Sequence, residues 1–221
     1  MGLLDLVFPK YCVGCKKLGS YLCESCTLKV EYLDNQICAY CYKGAVSGQT
    51  HPRCSKALGI DGIVSLTVYK NPVQELIKSL KYRFTTDLLK EFSEKFKFEN
   101  PLIEDKNWIL LPLPLHKSRS NYRGFNQAEL LGKVVADKFQ LKFDPTLLKR
   151  KKATDSQVGL SQRQRSQNVK AAFEVARPLK EASYFVFDDV WTSGATLKEA
   201  AAQLKKAGAE KVWGLTLAHP R

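Results

Sequence analysis

No apolar run in the sequence approaches the roughly 18 residues that cross a bilayer as a helix, so no membrane-spanning helix is expected. The start, Met1-Gly2-Leu3-Leu4-Asp5, lacks the basic region and long apolar core of a secretory signal. Leu6 occupies the position where an N-myristoylation motif needs Ser or Thr. We therefore expect a cytoplasmic protein. No cysteine follows Cys54, and the seven present are an odd number in a chain without a secretory signal, which argues against a disulfide framework. Neither Gly-Lys-Ser nor Gly-Lys-Thr occurs, which removes a Walker A nucleotide site. Acidic residues are scarce, 22 against 35 Lys and Arg, and the resulting charge of +13 favours anionic partners: phosphorylated substrates, nucleic acid or an anionic surface.

What is present divides into two textures. The 221 residues are 44% hydrophobic, enough for a packed core. Residues 1–57 hold every cysteine among short polar turns and show little helical periodicity, as in small domains held together by metal. Residues 58–221 alternate strand and helix patterns. A strand is predicted over 63–69, and Val73, Leu76, Ile77 and Leu80 mark one face of a helix over 72–82. Helices follow over 87–96 and 126–139, with a buried strand at 108–111 stopped by Pro112 and Pro114. A strand at 184–187, a helix over 197–207 closed by Gly208 and a strand at 212–217 complete a βαβ unit. The expected fold class is α/β, a mostly parallel sheet with flanking helices, preceded by a small zinc-binding domain.

The cysteines form four knuckles: Cys12-x2-Cys15, Cys23-x2-Cys26, Cys38-x2-Cys41 and His51-x2-Cys54. Each knuckle offers two ligands from one tight turn, and two such turns enclose a tetrahedral Zn²⁺, so eight ligands match two closed structural sites. A single redox CxxC does not explain four pairs. Sequential pairing joins Cys12, Cys15, Cys23 and Cys26, and separately Cys38, Cys41, His51 and Cys54; crossed pairing joins alternate knuckles. Sequential pairing is preferred, because each short loop can close a compact ribbon, and the segment reads as two related halves.

After the apolar Phe185-Val186-Phe187 the chain runs Asp188-Asp189-Val190-Trp191-Thr192-Ser193-Gly194-Ala195-Thr196. A glycine in such a turn admits close backbone approach to a phosphate, while hydroxyls and helix N-terminal amides donate to its oxygens. Two carboxylates at the carboxyl end of a strand suit ribose hydroxyls or Mg²⁺, and ligands of open α/β sheets bind at that end. The plain alternative is an acidic strand end followed by a Ser/Thr helix cap. The segment resembles the phosphoribosyl pyrophosphate (PRPP) signature of type I phosphoribosyltransferases. That resemblance implies an acidic pair on the ribose hydroxyls, a following loop on the 5-phosphate and Mg²⁺ bound with PRPP. Trp191 is bulkier than the residue usual there and could restrict the neighbouring pocket.

Leu80-Lys81-Tyr82-Arg83, Pro112-Leu113-Pro114-Leu115-His116, Arg123-Gly124-Phe125-Asn126-Gln127, and Gln157-x2-Leu160 leading to Arg165-x2-Asn168 and Ala172-Phe173 follow in order. Together with the double zinc ribbon they are similar to the ComF/ComFC competence-protein family over nearly the whole chain. The resemblance implies a type I phosphoribosyltransferase-like domain serving DNA uptake in natural transformation and handling single-stranded DNA, with DNA-uptake proteins as partners. Residues 188–196 would hold PRPP, and Pro112, Leu113, Pro114 and Arg123 its pyrophosphate. The basic residues Lys149, Arg150, Lys151, Lys152, Arg163 and Arg165, with Asp155 as acidic counterweight, read as a hood over the diphosphate, a nucleic-acid track or a solvated surface. Tyr122 and Phe125, beside Arg119 and Arg123, are candidates for stacking on bases. Two functions stand side by side: a PRPP-binding, DNA-handling protein, and an active phosphoribosyltransferase that displaces pyrophosphate in nucleotide metabolism. No amino-terminal cysteine is present to act as a glutaminase nucleophile.

Overall fold

Apolar runs become buried parallel strands. The structure, a computed structural model, describes residues 9–82, 86–97, 103, 107–115, 125–151, 169–179 and 182–220. Five strands form one sheet: β3 (Gly62–Val68), β4 (Trp108–Pro112), β5 (Lys142–Phe143), β8 (Ser183–Val190) and β9 (Lys211–His219), in the order β3-β9-β8-β4-β5. Every pairing in it is parallel. All seven residues of β3 are buried, the pattern of a strand covered on both faces. The sheet and its flanking helices give the α/β, type I phosphoribosyltransferase-like class expected from the sequence.

The helices form where the apolar spacing is 3.6. In α2 (Val73–Tyr82), Val73, Leu76, Ile77 and Leu80 are all buried along one face. Helix α3 (Thr86–Lys95) buries Leu88 and Phe92, and α4 (Gln127–Phe139) buries Leu131, Val135 and Ala136. Helix α5 (Ala195–Lys206) buries Leu197, Ala200, Ala201 and Leu204. It starts two residues earlier than its apolar pattern indicates, because Gly194 rather than a side-chain cap turns the chain into it.

Helices α4 and α5 lie on opposite faces of the sheet. Gly132 of α4 meets Leu110 and Phe187, whereas Gly214 of β9 meets Leu197 of α5. Gly214 is in register with Val186, and neighbouring residues of a strand point to opposite faces, so Val186 and Phe187 face different helices. Trp108 stacks on Phe185 at 4.2 Å and meets Trp213 edge-on at 6.4 Å, filling the sheet's amino-terminal side.

The amino-terminal segment shares this core: Cys12, Val13, Leu22, Cys26, Val30 and Ala39 belong to the same buried apolar cluster as the sheet. It also covers the outer edge of β3, which would otherwise expose unpaired backbone groups. Leu33 N–H donates to Leu66 O (3.1 Å), and Val68 N–H donates to Glu31 O (2.9 Å). The buried Gln36 side chain donates to Ser65 O (3.0 Å) and accepts from Ser65 N–H (2.8 Å). Within the segment lie a one-turn helix α1 (Glu24–Thr27) and a ribbon of β1 (Gln36–Ile37) and β2 (Gly44–Ala45).

Strands β5, β6 and β7 fall outside the sequence expectation, as do the short β1 and β2 of the amino-terminal segment. β6 (Leu148–Arg150) and β7 (Phe173–Val175) pair antiparallel beside α5, with Leu148 and Phe173 buried. Charge hid them, since Lys149 and Arg150 occupy strand positions within what reads as a basic run. Among the described residues no helix is long and apolar enough to cross a membrane.

Candidate functional site

The eight ligands assemble in sequential order. Cys12, Cys15, Cys23 and Cys26 form one cluster, and Cys38, Cys41, His51 and Cys54 the other, with the ligand atoms of each within 4.8 Å of one another. A tetrahedral Zn²⁺ with bonds of about 2.3 Å sets its sulfurs about 3.8 Å apart; Cys15 and Cys23 sulfurs lie 3.6 Å apart. His51 fits the same geometry, its Nδ1 being 3.3 Å from the Cys41 sulfur and its Nε2 3.0 Å from Gly44 O. A carbonyl on the far nitrogen is the arrangement that orients a histidine toward metal.

The two clusters are built alike. Lys16 N–H donates to Cys12 O and Tyr42 N–H to Cys38 O, closing equivalent turns. Cys12 N–H donates to Lys17 O and Cys38 N–H to Lys43 O. Lys16 (φ +64°) and Tyr42 (φ +59°) both take the left-handed conformation that lets the turn close. The first thiol of each cluster accepts from the third ligand's backbone: Cys23 N–H to Cys12 Sγ (3.4 Å), His51 N–H to Cys38 Sγ (3.5 Å).

These donors tune the thiols. The Ser25 hydroxyl, with the Cys26 N–H, brings Cys23 down to about 6. Burial opposes ionisation of Cys38, but the N–H groups of Cys41, His51 and Tyr40 outweigh it and bring it to about 6. Burial together with the neighbouring sulfurs pushes Cys26 up to about 12. Each cluster so stabilises some thiolates and opposes the rest by repulsion, and a divalent cation at its centre removes that repulsion. The donor sets fit closed, four-coordinate structural zinc.

At the carboxyl end of the sheet the strand order reverses. β4 continues through α4 to β5 on one side, and β8 continues through α5 to β9 on the other. Their carboxyl ends are adjacent, with Pro112 in register with Phe187, so the gap between them is the point where the strand order reverses. On the β4 side, Leu113 N–H donates to Phe187 O (2.8 Å), while the Asn126 amide donates to Leu113 O (3.0 Å). The Asn126 carbonyl oxygen accepts from Ala128 N–H (3.1 Å), so one side chain caps α4 and holds Leu113. Pro112 and Leu113 are buried and Pro114 is partly exposed.

On the β8 side, β8 extends to Val190, beyond the strand expected from the apolar run. Asp188 and Asp189 are therefore the end of a paired strand, with Asp188 beside Thr216 in β9. Asp189 N–H donates to Asp188 Oδ1 (2.9 Å). Trp191 N–H donates to Ala218 O (2.9 Å), anchoring the start of the loop. Gly194 (φ +65°) leads into α5, whose first amide, Ala195 N–H, donates to Ser193 Oγ (3.4 Å).

Trp191 requires a correction. The residue is fully buried and its ring lies beneath Gly194, so it packs under the loop and does not narrow a pocket. Lys198 covers the same ring, with its Nζ 5.3 Å from it and 5.2 Å from those of Tyr40 and Tyr42. Burial, reinforced by the Lys56 charge, brings the Lys198 ammonium down to about 8. Tyr42 O–H donates to Ser193 O (2.8 Å), and Lys198 Nζ donates to the same oxygen (3.2 Å). The knuckle of the second thiol cluster therefore reaches the loop through Tyr42. Sequence reading missed Tyr42, Tyr40, Lys198 and Asn126; for Asn126 alone a signal existed, an Asn immediately before an apolar helical pattern.

The basic run has an acidic neighbour that its own sequence does not show. Lys151 pairs with Glu174 of β7 at 2.7 Å, and Lys149 stands opposite Glu174 in register. Arg150 lays its guanidinium over Phe173, 5.4 Å from the ring centroid. Asp155 is thus not the segment's sole counterweight. Lys152, Arg163, Arg165, Arg119, Tyr122 and Arg123 lie outside the described residues, while Phe125 stands half-buried at the foot of α4.

Comparison with known proteins agrees with both halves of this architecture. A family model described as "Double zinc ribbon domain" matches residues 3–56. Competence protein F of Haemophilus influenzae is 32% identical over 98% of this chain and 94% of its own length. DNA utilization protein YhgH of Escherichia coli K12 is 28% identical over 95% of this chain and 98% of its own. Competence protein ComFC of Bacillus subtilis is 27% identical over 89% of this chain and 83% of its own.

Proposed function

The chain belongs to the ComF/ComFC competence-protein family, and from that premise we propose that it binds PRPP through residues 188–196 and handles single-stranded DNA in cytoplasmic steps of DNA uptake. In this reading residues 1–57 are the double zinc ribbon and residues 58–221 carry the ligand site. The observation that carries it is the reversal of strand order between β8 and β4, flanked by an acidic strand end and a glycine turn into a helix. Asp188 and Asp189 would hold the ribose hydroxyls, and Thr192, Ser193, Gly194, Ala195 and Thr196 the 5-phosphate. Pro112, Leu113 and Pro114, with Arg123, would border the diphosphate. Mg²⁺ bound with PRPP would offset the diphosphate charge.

Titration calorimetry with PRPP and Mg²⁺ tests the ligand. Wild type is expected to give a saturable heat, and Asp188→Asn/Asp189→Asn to weaken binding about 100-fold, as expected from two lost hydrogen bonds to charged groups. A silent wild type overturns the assignment. Release of pyrophosphate with nucleobases, ammonia or single-stranded DNA as acceptor would identify the protein as an active transferase; binding without release would favour a ligand-responsive DNA-handling role.

The basic strand supports a DNA contact only if Lys149 and Lys151 reach phosphates. Affinity for single-stranded DNA should then fall steeply with salt, with a log–log slope of about −0.7 per phosphate neutralised. Lys151→Gln should weaken binding several-fold. Glu174→Gln, which frees Lys151 from its ion pair, should strengthen it. Equal affinity in all three proteins would remove the track.

A further inference from the structure

The second thiol cluster and the glycine loop are far apart in sequence and meet through one side chain. Tyr42 follows the ligand Cys41, and its own backbone closes the knuckle by donating to Cys38 O (3.0 Å). Its left-handed conformation at φ +59° is that of the knuckle turn, so the direction of its ring depends on Cys38 and Cys41 being held together. The hydroxyl ends on Ser193 O at 2.8 Å, and Lys198 Nζ, itself stacked on the Tyr40 and Tyr42 rings, reaches the same oxygen. Ser193 O is therefore held from outside the loop by two donors, one of them rooted in the cluster. A carbonyl fixed in this way fixes the peptide plane it belongs to, and hence the Gly194 N–H at the start of α5.

We propose that Tyr42 is a positioning residue that couples the second metal cluster to the loop at residues 192–196, so that closure of that cluster around its metal sets the loop's readiness for a phosphorylated ligand. The first cluster has no such contact among the described residues. Its knuckle docks instead on the turn after β3, where Asn71 donates to Gly14 O (3.1 Å). The two metals consequently differ in role: one braces the ligand loop, and the other secures the amino-terminal segment. The ligand half of this inference rests on the PRPP assignment above. The brace itself does not.

Tyr42→Phe keeps the ring and the knuckle and removes only the hydroxyl. Zinc content and melting temperature are expected to match wild type. By hydrogen exchange the amides of residues 192–196 should exchange faster, and the PRPP dissociation constant should rise roughly three- to tenfold, the range for one lost hydrogen bond. Linkage requires the reverse effect as well: in equilibrium competition with a chelator, PRPP should raise the affinity for one zinc equivalent and leave the other unchanged. Unchanged exchange at 192–196 in Tyr42→Phe overturns the coupling whatever PRPP does. Faster exchange there, with a wild type that does not bind PRPP, supports the brace and overturns the ligand assignment instead.

Discussion

Serine in place of Cys12 or Cys38 is expected to halve the zinc content of the protein and to lower its melting temperature by about 6–12 °C, on the order of 3 kcal/mol for a chain of this size. Both sulfurs are fully buried and accept backbone N–H groups, so serine loses the metal bond and leaves those donors on a poorer acceptor. The two variants should fail in different places. Around the first cluster, Glu91 of α3 accepts from Tyr21 N–H (3.1 Å) and Leu22 N–H (2.9 Å), and Leu22 is fully buried. Cys12→Ser should therefore loosen α3. Around the second cluster the segment lies along β3, and Cys38→Ser should uncover that edge and promote self-association. Elemental analysis and hydrogen exchange separate the cases. Wild-type stability with one zinc equivalent lost would show that the metal contributes little to the fold.

Metal affinity should also fall on acidification. The ligands bind zinc as thiolates and neutral imidazole, so protons compete for the site. Hydrogen bonds to the thiolates hold Cys23 and Cys38 at about 6, whereas Cys26, pushed up to about 12, loses its proton to solvent when the metal binds.

The legible parts of the sequence were those whose physics is local. Four knuckles at fixed spacing specify eight ligands, because two donors on one tight turn have few other uses. Helix α2 was legible because Val73, Leu76, Ile77 and Leu80 repeat at helical spacing, and the buried strand leading into Asp188 because four consecutive apolar or aromatic residues, Tyr184 to Phe187, precede the acidic pair and the glycine turn. What escaped was set by distant pairing. Nothing near Glu31, Leu33 or Gln36 marks them as the cover of β3, since their partners lie about 30 positions away. The contact of Tyr42 with Ser193 spans 151 positions. The strand at Lys149 and Arg150 was masked by its charge, although Leu148 and Phe173 bury on one side of it.

Gly194→Ala is the second large effect expected, and it tests the corrected place of Trp191. A Cβ at position 194 would stand 2.1 Å from the Trp191 ring, at backbone φ +65°. The left-handed conformation costs an alanine about 1–2 kcal/mol and the overpacking about 1–3 kcal/mol, giving a destabilisation of roughly 2–5 kcal/mol. The indole cannot easily withdraw. Its backbone is tied to Ala218 O, its ring is fully enclosed, and Lys198 covers one face. The loop must shift instead, so PRPP affinity should fall along with stability. A cycle with Trp191→Phe distinguishes the two costs: the smaller ring relieves the overlap but not the backbone strain. The double variant should therefore be more stable than the sum of the single changes predicts, by about 1 kcal/mol, while remaining below Trp191→Phe alone. Simple additivity would mean that the ring does not lie beneath Gly194. In that case Trp191 would return to the pocket as a residue that limits what the loop can hold.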